Sequence, residues 1–326
     1  MTLADATAPA KRRADAPRTN PMLVPPRVGV NAVLAAVHLA LQGFQLFVLP
    51  LVLLPRSPWW ALLLIPLAAA NNPLWSLIHE TVHGSFNRNA AINRLAGRAL
   101  AIAFGSPLRV LTVGHLLHHR FNRTALDRPD MFDPSRGSRA GAAIGYYYQL
   151  LVGLYVSQIL APVAFFLPRD VLERARQRFL APDSMPGHAA AALTRPAALV
   201  EIRIDGAIIY LLLAASMACY GAWWWLVPTL LGLRAACISF LDYVYHYGTR
   251  TDELLHANNL RLPAALQAVL LNFNLHGVHH RHPQLPWHAL PDAFRADGDR
   301  FDGGYGAAAL RQLGGPIALA AEHRGD

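Results

Sequence analysis

Three histidine clusters stand out in the sequence by their spacing: His79-Glu80-Thr81-Val82-His83, His115-Leu116-Leu117-His118-His119 and His276-Gly277-Val278-His279-His280. On a helix, residues three and four apart share a face, so His79 and His83 project together. The same holds for His115, His118 and His119, and for His276, His279 and His280. Imidazole is the commonest protein ligand for zinc, copper, iron and nickel, and eight of them exceed what one tetrahedral ion can use. The count points to two metal ions. Taken alone, the first box is also the zinc-protease pattern, with Glu80 as general base. That chemistry needs only one further ligand, however, and leaves two clusters of matched spacing unexplained. Metal-free histidine is the ordinary fate of a single residue, not of three boxes with one geometry.

The elements that must position these boxes are those of a membrane protein. Of 326 residues, 54% are hydrophobic and only 15% charged, which is richer in apolar and poorer in charged side chains than soluble domains. Residues 1–28 have no apolar run and carry Lys11, Arg12 and Arg13, which reads as a solvated cytoplasmic tail facing anionic lipid, with no nucleic-acid role. From Gly29 to Leu54 the chain is apolar enough to cross a bilayer core, and it returns through Trp60 to Ile78, delivering the first box at the cytoplasmic end. A second hairpin is expected from Ile204 to Cys219 and from Trp223 to Phe240. Trp59 and Trp60, and Trp223, Trp224 and Trp225, then form outer aromatic belts.

All three boxes must meet on one side. The segment Ala91 to Val113, with Arg94, Arg98 and Arg109, is therefore expected as an amphipathic surface helix, and Ala143 to Leu167, with Pro162, as interfacial or re-entrant. With this four-span topology, all of the 29 Lys and Arg except Arg56 and Arg234 fall on the cytoplasmic side, as the positive-inside rule requires. Arg234 either snorkels to the headgroups or faces the interior. Cys219 and Cys237 fall in opposite halves of the bilayer and no disulfide is expected. His38 reads as a satisfied intramembrane histidine, and His282 and His288 as supporting or surface groups. No role is assigned to His188, His256 or His323.

After the last span come Asp242-Tyr243-Val244-Tyr245-His246-Tyr247-Gly248, which bring His246 to the depth of the boxes. The boxes, the hairpins and His246 together resemble, in order and spacing, the membrane fatty acid desaturase superfamily, which also holds the alkane hydroxylases and carotenoid ketolases. The resemblance covers roughly Gly29 to Pro291. It implies an all-α integral membrane fold with four transmembrane helices in two hairpins, interfacial helices and a cytoplasmic histidine-rich di-iron cap. It divides the chain into a tail at 1–28, a catalytic domain at 29–291 and a peripheral segment at 292–326. It further implies that His79, His83, His115, His118, His119, His246, His276, His279 and His280 hold two Fe ions. The run around His246 looks like that of alkane hydroxylases, except that Asp242 stands where Asn is favoured; its carboxylate is a candidate to approach a metal or orient an imidazole. The first box is HxxxH, as in acyl-lipid desaturases, hydroxylases and ketolases, and departs from the HxxxxH of acyl-CoA desaturases.

The implied chemistry is O2-dependent oxidation of an unactivated C–H bond, which no side chain performs unaided. Loss of a neighbouring hydrogen gives a double bond in a lipid acyl chain, the expected outcome. Oxygen rebound would give a hydroxylase or ketolase acting on a fatty acyl, alkane or isoprenoid substrate. No haem domain or iron-binding Cys cluster is recognisable, so electrons are expected from a separate ferredoxin, rubredoxin or cytochrome-type carrier, docking on the basic face. A scaffold without chemistry has no need of nine imidazoles. The expected location is a bacterial inner membrane, with the active site and both termini cytoplasmic.

Overall fold

The computed structural model describes residues 24–319. Lys11, Arg12, Arg13 and His323 lie outside the described residues, as does most of the expected N-terminal tail. Helix α1 (Val28–Gly43) continues into a π-helical stretch, Phe44–Leu53, around Pro50. Proline lacks the N–H that an α-helical turn requires, and a wider turn accommodates it. The combined run, Val28–Leu53, has 26 residues, enough to cross a bilayer core of about 30 Å. The chain then returns through a 3₁₀ turn, α2 (Leu64–Ala69) and α3 (Asn71–Val82), which form one apolar run, Pro58–Val82. His79 lies in the last turn of α3 and His83 caps it.

Helix α4 (Ala90–Phe104) starts on Asn89, whose side chain accepts from the N–H groups of Ala91 and Ile92. It ends on Gly105 in the left-handed region at φ 106°, where a side chain would be strained. Pro107 then opens α5 (Leu108–Phe121), which leaves at 98° to α4. The single surface helix expected over Ala91–Val113 is therefore two helices broken at Gly105–Pro107. Nor is its basic face free: Arg98 pairs with Asp205, and Arg109 Nη2 lies 2.7 Å from Glu201. Gly97 lets α4 lie hard against α3, since a Cβ there would stand 2.6 Å from Thr81 Oγ1. Such close packing, rather than exclusion of water, holds helices together in lipid.

A short strand β1 (Met131–Phe132) precedes α6 (Arg139–Tyr148) and α7 (Leu154–Ala164), which a π turn joins into one run, Arg139–Ala164. This run is long and apolar enough, by length and composition, to cross a membrane, so hydropathy alone does not separate a span from the interfacial or re-entrant course expected for Ala143–Leu167. Helices α8 (Arg169–Phe179), α9 (Met185–Leu193) and α10 (Pro196–Tyr220) follow, and after Trp223–Trp225 the chain returns as α11 (Leu226–Tyr243). The expected span 204–219 is the end of α10. The helix also carries Glu201, Arg203 and Asp205, and it is not among the four runs apolar enough to cross by composition: Val28–Leu53, Pro58–Val82, Arg139–Ala164 and Leu226–Tyr243. Its far end nevertheless bonds to the first run, Ser216 Oγ to Leu46 O and Tyr220 Oη to Gln45 O.

The last third of the chain contributes β2 (Leu260–Arg261), α12 (Ala264–Val269), α13 (His276–Arg281), α14 (Leu290–Ala296), β3 (Gly303–Gly304), α15 (Tyr305–Arg311) and β4 (Ile317–Ala318). Strand β4 pairs in parallel with β1, and β3 with β2. Within the segment expected to be peripheral, 305–319 packs as a strap. Tyr305 Oη donates to Leu241 O, Tyr247 Oη to Gly315 O and Tyr147 Oη to Leu313 O. The core under the histidines gathers Leu74, Leu77, Ile78, Phe104, Tyr155 and Ile238. Cys219 and Cys237 are free thiols, as expected.

Both ends of the Arg139–Ala164 run meet elements of the histidine side. Its start is tied to the strap through Tyr147 and Arg139, while its end leads through α8 to α9, where His188 stacks on Phe121 of α5 at 5.1 Å. A single crossing would put those ends on opposite faces. In a variant lacking Cys219 and Cys237, cysteines placed at Gly187 and Trp224 should therefore label from opposite sides of the membrane. Labelling of both from one side would make Arg139–Ala164 a true span.

Candidate metal centre

Each box folds as its spacing dictates, and the nine histidines converge in two groups. His79, His83, His115, His119 and His279 form one, and His118, His246, His276 and His280 the other, with the ligand atoms of each group within 4.8 Å of one another. Helices α5 and α13 feed both groups, because adjacent positions at the end of each box point to different sides. His118 and His119 part in this way, as do His279 and His280.

In the first group, His83 Nε2 and His119 Nε2 each lie 2.9 Å from His115 Nε2, and His279 Nε2 lies 3.0 Å from His119 Nε2. In the second, His118 Nε2 and His276 Nε2 each lie 3.1 Å from His246 Nε2, and His280 Nε2 lies 3.1 Å from His276 Nε2. A metal–nitrogen distance of about 2.1 Å places adjacent octahedral ligands about 3 Å apart. The observed edges have that length. Mutual hydrogen bonds do not account for them, since a neutral imidazole has a single N–H. His118 Nδ1 lies 2.6 Å from Asp127 Oδ2. With its proton on that side, its Nε2 presents a lone pair toward His246. His79 Nε2 is buried with no hydrogen-bond partner at all, an arrangement that a cation in the group relieves. The donor set therefore fits two metal ions.

Burial holds these rings in the form that ligates. Desolvation first, and neighbouring imidazoles second, push the pKa values of His246, His276, His279 and His280 well below 6.5. They remain neutral, with lone pairs available.

The surroundings supply fixings that the spacing of the boxes does not reveal. Arg123, fully buried, donates from Nη1 to Asp130 Oδ1 at 2.7 Å and from Nη2 to Thr249 O at 2.8 Å, and Asp130 Oδ2 accepts from Gly248 N. This clamp ties the end of α5 to the turn that carries His246. Tyr245 stacks on His276 with ring centres 4.7 Å apart, and Trp75 meets His79 and His115 edge-on at 6.1 and 5.9 Å. The sequence cue available for the clamp is an Arg and an Asp seven residues apart directly after a histidine box.

Glu80 does not join the first group. Ser85 Oγ donates to Glu80 Oε2 at 2.8 Å and Trp287 N at 3.2 Å, so the carboxylate latches α3 to the loop after α13. The protease reading therefore loses its general base. Asp242 joins neither group. It borders a cavity of about 30 Å³ with Trp75, Asn72, Ser76, Tyr245 and Tyr305. His282 Nε2 contacts Asp297 Oδ2 at 2.9 Å and His288 Nε2 contacts Pro25 O at 3.1 Å. Both lie outside the groups. His256 accepts at Nδ1 from Arg250 N. His38 is buried, but its Nδ1 has no partner, contrary to the expectation that it is satisfied. A wide cleft of about 910 Å³ beside α13 is lined by charges of both signs, including Arg250, Glu253 and Asp299, and by none of the nine histidines. It is not the metal centre.

The family model of the fatty acid desaturases matches residues 57–308, which takes in all nine histidines. The chain belongs to the fatty acid desaturase family. No curated protein matches it. Family and histidine groups together make it a non-haem di-iron oxygenase-type enzyme of the membrane.

The neutral histidines give the metal-free protein a definite pH response. Their folded pKa values lie below the unfolded value of 6.5, so in acid the unfolded chain binds protons that the folded chain refuses. Stability is then full above about pH 6.5 and falls as the pH drops below it. Thermal unfolding of chelated protein should show a lower Tm at pH 5.5 than at pH 7.5. Equal Tm values would contradict burial of these rings as neutral bases.

Proposed function

We propose that the chain introduces a double bond into a lipid acyl chain, using O2 and electrons from a separate carrier. The observation that carries this reading is the five-plus-four division of histidines beside apolar helices, within a desaturase-family chain. In this proposal His79, His83, His115, His119 and His279 hold one iron, and His118, His246, His276 and His280 the other. When bound, the pair supplies the O2 activation needed to break an unactivated C–H bond, which no side chain provides.

The protein's own groups would do the rest. Asp127 fixes the His118 tautomer by accepting its Nδ1 proton, leaving Nε2 for the metal. The Arg123–Asp130 clamp holds His246 in register with α5. Phe273, Trp75 and Tyr245 pack an apolar wall around the first rings, which keeps water from the reacting carbon. Asp242, beside the Trp75 indole, acts on the site through that ring and not as a ligand. Membrane lipid is the proposed substrate source, a reading supported by the family and by the apolar helices. The electron carrier is an acidic ferredoxin, rubredoxin or cytochrome-type protein, and exposed arginines such as Arg178 on α8 offer it opposite charge.

Lipid mass spectrometry of cells with and without the gene should show products two hydrogens lighter than their precursors. A gain of one oxygen would replace desaturation with hydroxylation. In the same assay His118→Ala should abolish product and lower bound iron while the protein stays in the membrane. Asp242→Asn should keep its iron and slow turnover, because the charge beside Trp75 is lost. Wild-type turnover in Asp242→Asn would remove Asp242 from the account.

A further inference from the structure

The buried face of α1 is polar and its outward face apolar, the reverse of a helix in a soluble protein and the arrangement that lipid requires. Asn31, His38 and Gln42 are its buried residues, and Gln45 continues the face in the π-helical stretch. Val33, Val37 and Leu39 point outward. Asn31 has a structural task near the metal centre, donating to Phe86 O and accepting from Trp287 Nε1. The deeper residues of the face lead instead to Arg234.

Arg234 stands midway along α11 and is 1% exposed. A guanidinium stays charged in any protein environment. The other fully buried arginine, Arg123, has Asp130 as its counter-ion. Among the described residues no Asp or Glu forms an ion pair with Arg234. Its Nη2 donates to Gln42 Oε1, an oxygen that Gln45 Nε2 also uses, and Gln42 Nε2 in turn donates to Asn71 Oδ1. Arg234 Nε has no partner, and neither has Gln45 Oε1 or His38 Nδ1. Neutral amides satisfy donors but do not cancel a charge, and a buried charge without a counter-ion is costly. Asp205, on α10, is already engaged by Arg98.

We propose that Arg234, backed by Gln42 and Gln45, is a receptor within the bilayer for the carboxylate at one end of an apolar chain. The planar fork of a guanidinium matches a carboxylate. The apolar helices around it require that the remainder of the ligand be apolar. Arg234 lies eight residues before Asp242 on one helix, roughly 12 Å along its axis. A chain held at Arg234 thus has a fixed reach to the metal centre, which would set the position of the oxidised carbon. This last consequence rests on the proposed function, whereas the binding does not.

The test uses full-length protein in detergent and measures binding of hexadecanoate, methyl hexadecanoate and acetate by thermal shift, with iron content determined in the same samples. The wild type should bind hexadecanoate about tenfold more tightly than its methyl ester, the scale of a hydrogen bond to a charged group. Arg234→Gln should remove that preference without loss of iron, and Arg234→Lys should keep part of it. Equal binding of acid and ester by the wild type would overturn the proposal, as would a preference that survives in Arg234→Gln. Acetate binding as tightly as hexadecanoate would reduce the site to one for small anions and overturn the chain receptor. If Arg234→Gln fails to fold, the wild-type comparison and Arg234→Lys still decide. Loss of enzymatic activity with this binding intact would count against the proposed function alone.

Discussion

Nine imidazoles whose nitrogens point at one another within a buried volume are unfavourable unless something positive lies between them. A neutral ring has one proton to give, and burial disfavours the second that would turn rings such as His246, His276, His279 and His280 into cations. Lone pairs at about 3 Å edges therefore face each other in both groups. Two cations resolve that frustration, and the remainder of the protein can be read as the means of keeping the rings in place until they arrive. Helix ends supply the two-sided boxes. The Arg123–Asp130 pair and the Glu80 latch then bolt the three polar segments to one another.

The strap at 305–319 extends the same logic to the bilayer boundary. It ties α6 and α11 together at their histidine-side ends through Tyr147, Tyr247 and Tyr305. Those bonds fix how deep the rings sit relative to the apolar helices. Under the proposed function such control of depth is needed, because the reacting carbon has no polar group of its own by which an enzyme could locate it. Position along the chain has to be measured from something else, and Arg234 is a suitably placed charge on the helix that leads to His246.

The convergence of the histidines was legible because helical spacing is a local property, whereas their five-plus-four division depends on contacts that spacing does not report. The spans at 29–54, 60–78 and 223–240 were legible from apolar run length for the same reason. The two other segments are those in which composition and tertiary pairing pull in different directions. Residues 143–167 carry Pro162 and are followed by arginines, yet fold within a long apolar helical run. Residues 204–219 look like a span, yet belong to a helix whose first half is charged and paired to α4 and α5. The break at Gly105–Pro107 had a visible Gly and Pro, but its 98° angle depends on packing. The clamp, the latch and the strap join residues from 7 to about 207 positions apart, and no periodicity reports such pairings.

The central claim is that the two histidine groups are two unequal iron sites, one with five nitrogen ligands and one with four. Metal analysis combined with ⁵⁷Fe Mössbauer spectroscopy of the purified protein addresses it directly. The account predicts two irons per chain and two quadrupole doublets of equal area with distinct parameters. A single zinc per chain with no iron, or one iron occupying one group alone in active protein, would contradict it.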